Sequence, residues 1–125
     1  MLDELIEKYK KFNAKLIVLF GSRARGDYTD ESDIDILVVA DDLPKDPREA
    51  FDVLRDPRFP LVNPIGMNTE VFLKKLHEGN TFVLEILEDG KILYYDKSFL
   101  EQVRVSYKEI RKKYLRRGKT WIRLN

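Results

Sequence analysis

Two short apolar runs, joined by a polar glycine-containing stretch, constrain this chain more than any other feature. The longest uninterrupted apolar runs, residues 16–20 and 36–40, are five residues each, far below the ~20 residues needed to span a membrane as a helix. The first run is β-prone and stops at Gly21, so residues 15–20 read as a buried strand. Residues 33–40, Asp-Ile-Asp-Ile-Leu-Val-Val-Ala, read as a second strand, and the polar residues 21–32 join the two. Before them, Leu2, Leu5, Ile6, Tyr9 and Phe12 fall on one helical face. After them, Asp46 is an N-cap followed by Pro47 at the first helical position, opening a helix that ends near Arg55. Residues 60–67 form a third strand, which Pro64 confines to an edge or a strand end. Asn68-Thr69-Glu70 opens a helix carrying Phe72, Leu73 and Leu76 and stopping at Gly79.

Residues 81–88 are ambiguous, although Phe82, Val83, Ile86 and Leu87 fit a helix that Gly90 would cap. Residues 91–95 form a last strand. Ser98 then caps a long helix with Phe99, Val103, Tyr107, Ile110 and Tyr114 on one face, closing at Gly118. The expected fold class is therefore α/β: a small mixed sheet of three to four strands, flanked by helices, with a long C-terminal helix.

With 125 residues, 1–125 is expected to be a single domain, its core near residues 15–95 and a basic helix and tail over 98–125. Two enzyme lobes do not fit in this length, so a second substrate platform is expected from another chain. The absence of cysteine removes disulfides, thiol catalysis and Cys-ligated zinc. The acidic start, Asp3-Glu4, is unlike a signal peptide, and the expectation is a soluble, cytoplasmic protein with no membrane partner. The net charge of +1 hides a segregation. Residues 1–96 carry 13 Lys+Arg against 20 Asp+Glu, a balance of −7, and residues 97–125 carry 10 basic residues against Glu101 and Glu109, a balance of +8. Such a basic segment can meet nucleic acid or an acidic partner, or simply be a solvated face.

The chemistry is concentrated in residues 21–35. In a strand, side chains at i and i+2 share a face, so Asp33 and Asp35 project together. Two carboxylates this close repel, and such a pair either recruits a cation or is simply a solvated acidic strand end. Oxygen-only ligands suit Mg²⁺, which keeps waters and shares its shell with substrate phosphates. Gly21-Ser22 leaves the first strand in a sharp turn where missing side-chain bulk lets backbone N–H groups face a phosphate. Ser22 adds a hydroxyl, and Arg23 and Arg25 add cationic forks. A phosphate cradle beside a carboxylate pair is what metal-assisted nucleotidyl transfer requires.

The run Gly21-Ser22-Arg23-Ala24-Arg25-Gly26 and the following Ser32-Asp33-Ile34-Asp35-Ile36-Leu37-Val38 resemble the signature of the DNA polymerase β-like nucleotidyltransferases. The spacing between Gly-Ser and Asp-x-Asp is that of the minimal nucleotidyltransferase (MNT) group, and the resemblance extends over about residues 15–95. It implies the polymerase β-like fold, with Gly21 and Ser22 binding nucleotide phosphates assisted by Arg23 or Arg25. It implies Asp33 and Asp35 as catalytic metal ligands, a two-metal Mg²⁺ site, and ATP or another nucleoside triphosphate as substrate. The reaction would pass a nucleoside monophosphate to an acceptor hydroxyl. Such proteins are often antitoxins paired with a HEPN-domain toxin that they modify; a homodimer is the other partner reading. Family members often carry a third carboxylate on a following strand, where this chain places Asn63, a weak metal ligand that cannot accept a proton. Two alternatives follow: a catalytically weak or inactive nucleotide-binding, toxin-neutralising module, or an RNA-binding adaptor working through the basic C-terminal segment. Gly118-Lys119-Thr120 only mimics the end of a P-loop, because Lys113 stands where the earlier glycine is needed. His77, the single histidine, fits a helix C-terminus.

Overall fold

The structure, a computed structural model, describes residues 2–124. Its element order is α1 (Leu2–Lys10), β1 (Ala14–Phe20), α2 (Ser22–Arg25), β2 (Ile34–Ala40), α3 (Pro47–Leu54), β3 (Val62–Asn68), α4 (Thr69–His77), α5 (Thr81–Asp89), β4 (Lys91–Tyr95), α6 (Lys97–Arg111), β5 (Tyr114–Arg117) and β6 (Thr120–Arg123). Four strands form one mixed sheet in the order β3-β2-β1-β4, and β5 and β6 form a separate two-stranded ribbon. β1 runs antiparallel to β2 and β4, whereas β3 joins β2 in parallel. Pro64 sits on β3, at the edge of the sheet, where its missing N–H costs no ladder bond. Among the described residues no helix is long and apolar enough to cross a membrane.

The pleat divides the core in two. Leu16, Val18, Leu37 and Val39 pack against Phe72 and Leu76 of α4, Val83 and Ile86 of α5, and Phe99, Val103 and Ile110 of α6. Ile17, Ile36 and Val38 face the opposite way, onto Leu5 and Tyr9 of α1 and Leu54 beyond β2. With period two, Asp35 shares the face of Leu37 and Val39 and points towards the α4–α6 side. Helix starts follow the sequence: the Asp46 carboxylate accepts the Arg48 N–H at 2.8 Å, and the Asn68 side chain accepts the Glu70 N–H at 3.0 Å. The ambiguous segment is a helix, α5, because its apolar residues are buried at helical spacing.

The C-terminus departs from expectation. Asp96, not Ser98, caps α6, accepting the Phe99 N–H at 3.0 Å, and the helix ends at Arg111 rather than at Gly118. Beyond it the pattern changes to period two around Gly118, whose φ of 60° starts a tight turn. Tyr114, expected on the helix, lies on β5, and its hydroxyl donates to the Gly79 carbonyl at 2.9 Å. Trp121 turns inward, edge-on to Tyr114 at 6.2 Å and under the guanidinium groups of Arg111 and Arg116 at 4.8 and 5.2 Å. Leu115 and Ile122, a cross-strand pair, are exposed apolar residues of the ribbon. The basic charge is thus divided between a helix and a ribbon.

Arg116 fastens the ribbon to α5 by two hydrogen bonds, 2.8 and 2.6 Å, to the Asp89 carboxylate. These bonds hold the Asp89 carboxyl below its ordinary pKa of 3.8. A depressed carboxylate stabilises the fold fully above its ordinary pKa, and the contribution fades as pH falls towards the lower folded value. Acidification below about pH 3.8 is therefore expected to loosen the ribbon. Fluorescence of Trp121, the single tryptophan, reads this directly. Arg116→Met should remove that acid-dependent step and lower Tm by several degrees, at roughly 4 °C per kcal/mol for a chain this size.

Candidate active site

The site residues converge at one end of the sheet because the register puts them there. Phe20, the last residue of β1, pairs with Asp35, and Asp35 pairs with Asn63 on β3. The Asn63 amide nitrogen donates to Asp35 Oδ1 at 3.2 Å. Asp33 lies just before β2 and is exposed, whereas Asp35 is half-buried. Asn63 therefore lies beside Asp35, and its amide steadies that carboxylate.

Gly21 follows Phe20 with φ 74° and ψ −156°, a combination essentially open to glycine alone. A Cβ at this position would strike Asp35 Oδ2. The backbone of the turn is thus laid against the carboxylate itself. Ser22 to Arg25 form a single helical turn that the sequence pattern does not reveal, closed by Gly26 at φ 90°. The opening N–H groups of such a turn have no intrahelical acceptor.

The two arginines diverge. Arg23 donates to the carbonyls of Ser32 and Asp30 at 3.1 and 3.4 Å, and its guanidinium stacks 4.5 Å from the Tyr28 ring. It therefore braces the loop leading to Asp33. Arg25 pairs with Asp27 at 3.5 Å and lines a recess of about 130 Å³ with Phe20, Gly21, Phe82, Glu85, Ile86, Asp89 and Lys119. Sequence reasoning did not assign the last five to the site. Phe82, Glu85 and Asp89 do share one stripe of α5, three and four residues apart; nothing local places Lys119 beside them.

The donor set bears on the metal. Among the described residues no three His, Cys, Asp or Glu side chains form a metal-binding group. Two carboxylates and an amide fit a hard cation that completes its shell with water and phosphate oxygens, the habit of Mg²⁺. They do not fit a closed, all-protein cage. His77 meets Ser106 Oγ at 3.2 Å on the surface, remote in sequence from this cluster.

With this geometry in view, the similarities to known proteins are specific. The polymerase beta nucleotidyltransferase family matches residues 2–99. The "Putative protein adenylyltransferase" MJ1305 of Methanocaldococcus jannaschii is 35% identical, over 97% of this chain and 90% of its own length. A second protein of the same description and organism, MJ0604, is 40% identical over 74% of this chain and 90% of its own length. Among solved structures, a chain of a toxin–antitoxin with AMP-PNP superposes with a TM-score of 0.61 at 23% identity, covering 90% of this chain and 88% of that one. A chain of the tri-AMPylated Shewanella oneidensis HEPN toxin in complex with MNT antitoxin gives 0.53 at 19% identity, covering 89% and 81%. At these identities the superpositions speak for the fold.

Proposed function

The chain belongs to the polymerase β-type nucleotidyltransferase family, in its minimal (MNT) group, and on that premise we propose that it transfers AMP from ATP to an acceptor hydroxyl in a Mg²⁺-dependent reaction. The observation that carries the reading is the fit of Gly21 against Asp35: the phosphate-facing turn and the carboxylate pair are one surface. The turn at Gly21-Ser22 holds the β and γ phosphates with backbone N–H groups and the Ser22 hydroxyl. Asp33 and Asp35 would hold the metal, with Asn63 orienting Asp35. Bound there, Mg²⁺ supplies charge stabilisation between carboxylates and triphosphate. Arg25 adds positive charge beside the departing pyrophosphate, and Arg23 holds the loop that delivers Asp33. The acceptor is a hydroxyl of a partner HEPN-type protein; the likeness to chains of toxin–antitoxin complexes supports this pairing.

Calorimetric titration of Mg²⁺ with ATP, GTP, CTP and UTP into wild type and Asp33→Ala/Asp35→Ala tests the reading. Saturable, Mg²⁺-dependent binding that disappears in the double variant is the expected result. Binding that persists unchanged in the variant would move the site elsewhere.

A second reading, nucleotide binding without turnover, draws on the amide at position 63, which cannot take a proton. Asn63→Asp separates the two. Without Mg²⁺ it replaces a hydrogen bond with two facing carboxylates, so Tm should fall by a few degrees. With Mg²⁺ the loss should reverse and transfer should rise about tenfold or more, within the range of a positioned base. Unchanged turnover and unchanged Mg²⁺ response would place Asn63 outside the site. The RNA-adaptor reading is weakened by the pairing of Arg111, Lys112 and Arg116 with carboxylates of the same chain.

A further inference from the structure

We propose that the recess between α5 and the β5–β6 ribbon is the nucleobase subsite, and that it favours bases bearing an exocyclic amino group. The inference rests on the placement of the triphosphate at Gly21-Ser22, since the recess shares Gly21 and Arg25 with that turn.

Its floor is apolar. Phe20 and Phe82 meet edge-to-face, 5.7 Å between centroids at 86°, with Ile86 beside them. Phe82 remains 44% exposed. An aromatic face left open beside a phosphate site offers a stacking platform for any base. The polar rim discriminates. Both Asp89 oxygens are taken by Arg116, at 2.8 and 2.6 Å, whereas Glu85 meets Arg116 only at 3.6 Å. Glu85 thus keeps acceptor capacity in the recess. Such an acceptor pairs with the amino groups of adenine, cytosine or guanine and repels the carbonyl oxygens that uracil carries on both sides of its ring N–H. Among the lining residues Arg25 and Lys119 offset Glu85 and Asp89, and Arg116, which holds Asp89 from the ribbon, adds positive charge beside the recess. Lys119, in the turn between β5 and β6, lies beyond residues 2–99, the stretch matched by the family, so the ribbon contributes to the rim of the subsite.

The experiment is calorimetry with Mg²⁺ and three probes, ATP, UTP and inorganic tripolyphosphate, on wild type, Phe82→Ala and Glu85→Gln. Wild type should bind ATP about tenfold or more tighter than UTP or tripolyphosphate. Phe82→Ala should weaken ATP about tenfold, the scale of one base–aromatic stack, and leave tripolyphosphate unchanged. Glu85→Gln, whose amide can also donate, should bring the ATP-to-UTP ratio close to one. Should Phe82→Ala fail to fold, Glu85→Gln decides alone. Equal binding of all three probes by wild type, or an unchanged ratio in Glu85→Gln, overturns the base subsite and leaves the phosphate site standing. No binding of any probe, tripolyphosphate included, overturns the phosphate site and the base subsite with it.

Discussion

Asp35→Ala is expected to reduce Mg²⁺-dependent AMP transfer by on the order of 10³-fold, with the fold retained. Losing one preorganised charge-stabilising group costs about 10²–10³ in rate, and Asp35 is the centre of the cluster, paired in register with Phe20 on one side and Asn63 on the other. Asp33, exposed at the mouth, should follow the same pattern, and the double variant should transfer nothing measurable. The folded state loses little. Removing Asp35 frees one amide of Asn63, a half-buried group, at a cost of about 1 kcal/mol. Label transfer from α-labelled ATP to a co-purified partner, read beside a thermal melt, separates the two effects. A double variant that transfers label at the wild-type rate would refute the assignment of both aspartates.

Gly21→Ala is expected to damage stability and binding together. Its φ and ψ lie in a region that costs an L-residue about 1–3 kcal/mol, and the added methyl would strike Asp35 Oδ2. A Tm decrease of roughly 10 °C follows at about 4 °C per kcal/mol, with loss of Mg²⁺-ATP binding because Asp35 and the turn are pushed apart. Gly26→Ala is the control. Gly26 also has a positive φ, 90°, but a Cβ there meets nothing within 4 Å. It should cost stability, roughly 1 kcal/mol, without touching affinity. Combining Gly21→Ala with Asp35→Gly should recover part of the Tm and none of the binding. If Gly21→Ala binds Mg²⁺-ATP as wild type does, the turn is not the phosphate site.

The legible parts of this protein are those encoded by neighbours along the chain. The period-two pattern of residues 33–40 gives both the strand and the shared face of Asp33 and Asp35, because alternation in a strand needs no tertiary partner. Asp46 and Asn68 announce their helices because a side-chain cap bonds within three residues of itself. Asn63 was pointed to by the family resemblance and not by any local pattern; its pairing with Asp35 is set by the parallel register of β2 and β3.

The C-terminus was not legible for the opposite reason. Residues 112–117, Lys-Lys-Tyr-Leu-Arg-Arg, hold only two apolar residues, side by side, which define neither period, so local propensity continues the helix. What turns them into a ribbon is packing: Tyr114 reaching the Gly79 carbonyl, Trp121 closing on Tyr114, and Arg116 gripping Asp89. The sequence by itself determined the Gly21-Ser22 turn and the paired carboxylates, whose geometry is settled within fifteen residues by backbone sterics and strand pleat. Only the tertiary structure decided that Phe82, Glu85 and Lys119 meet beside that turn, because their proximity is set by how α5 and the ribbon pack on a common core, which no local period records.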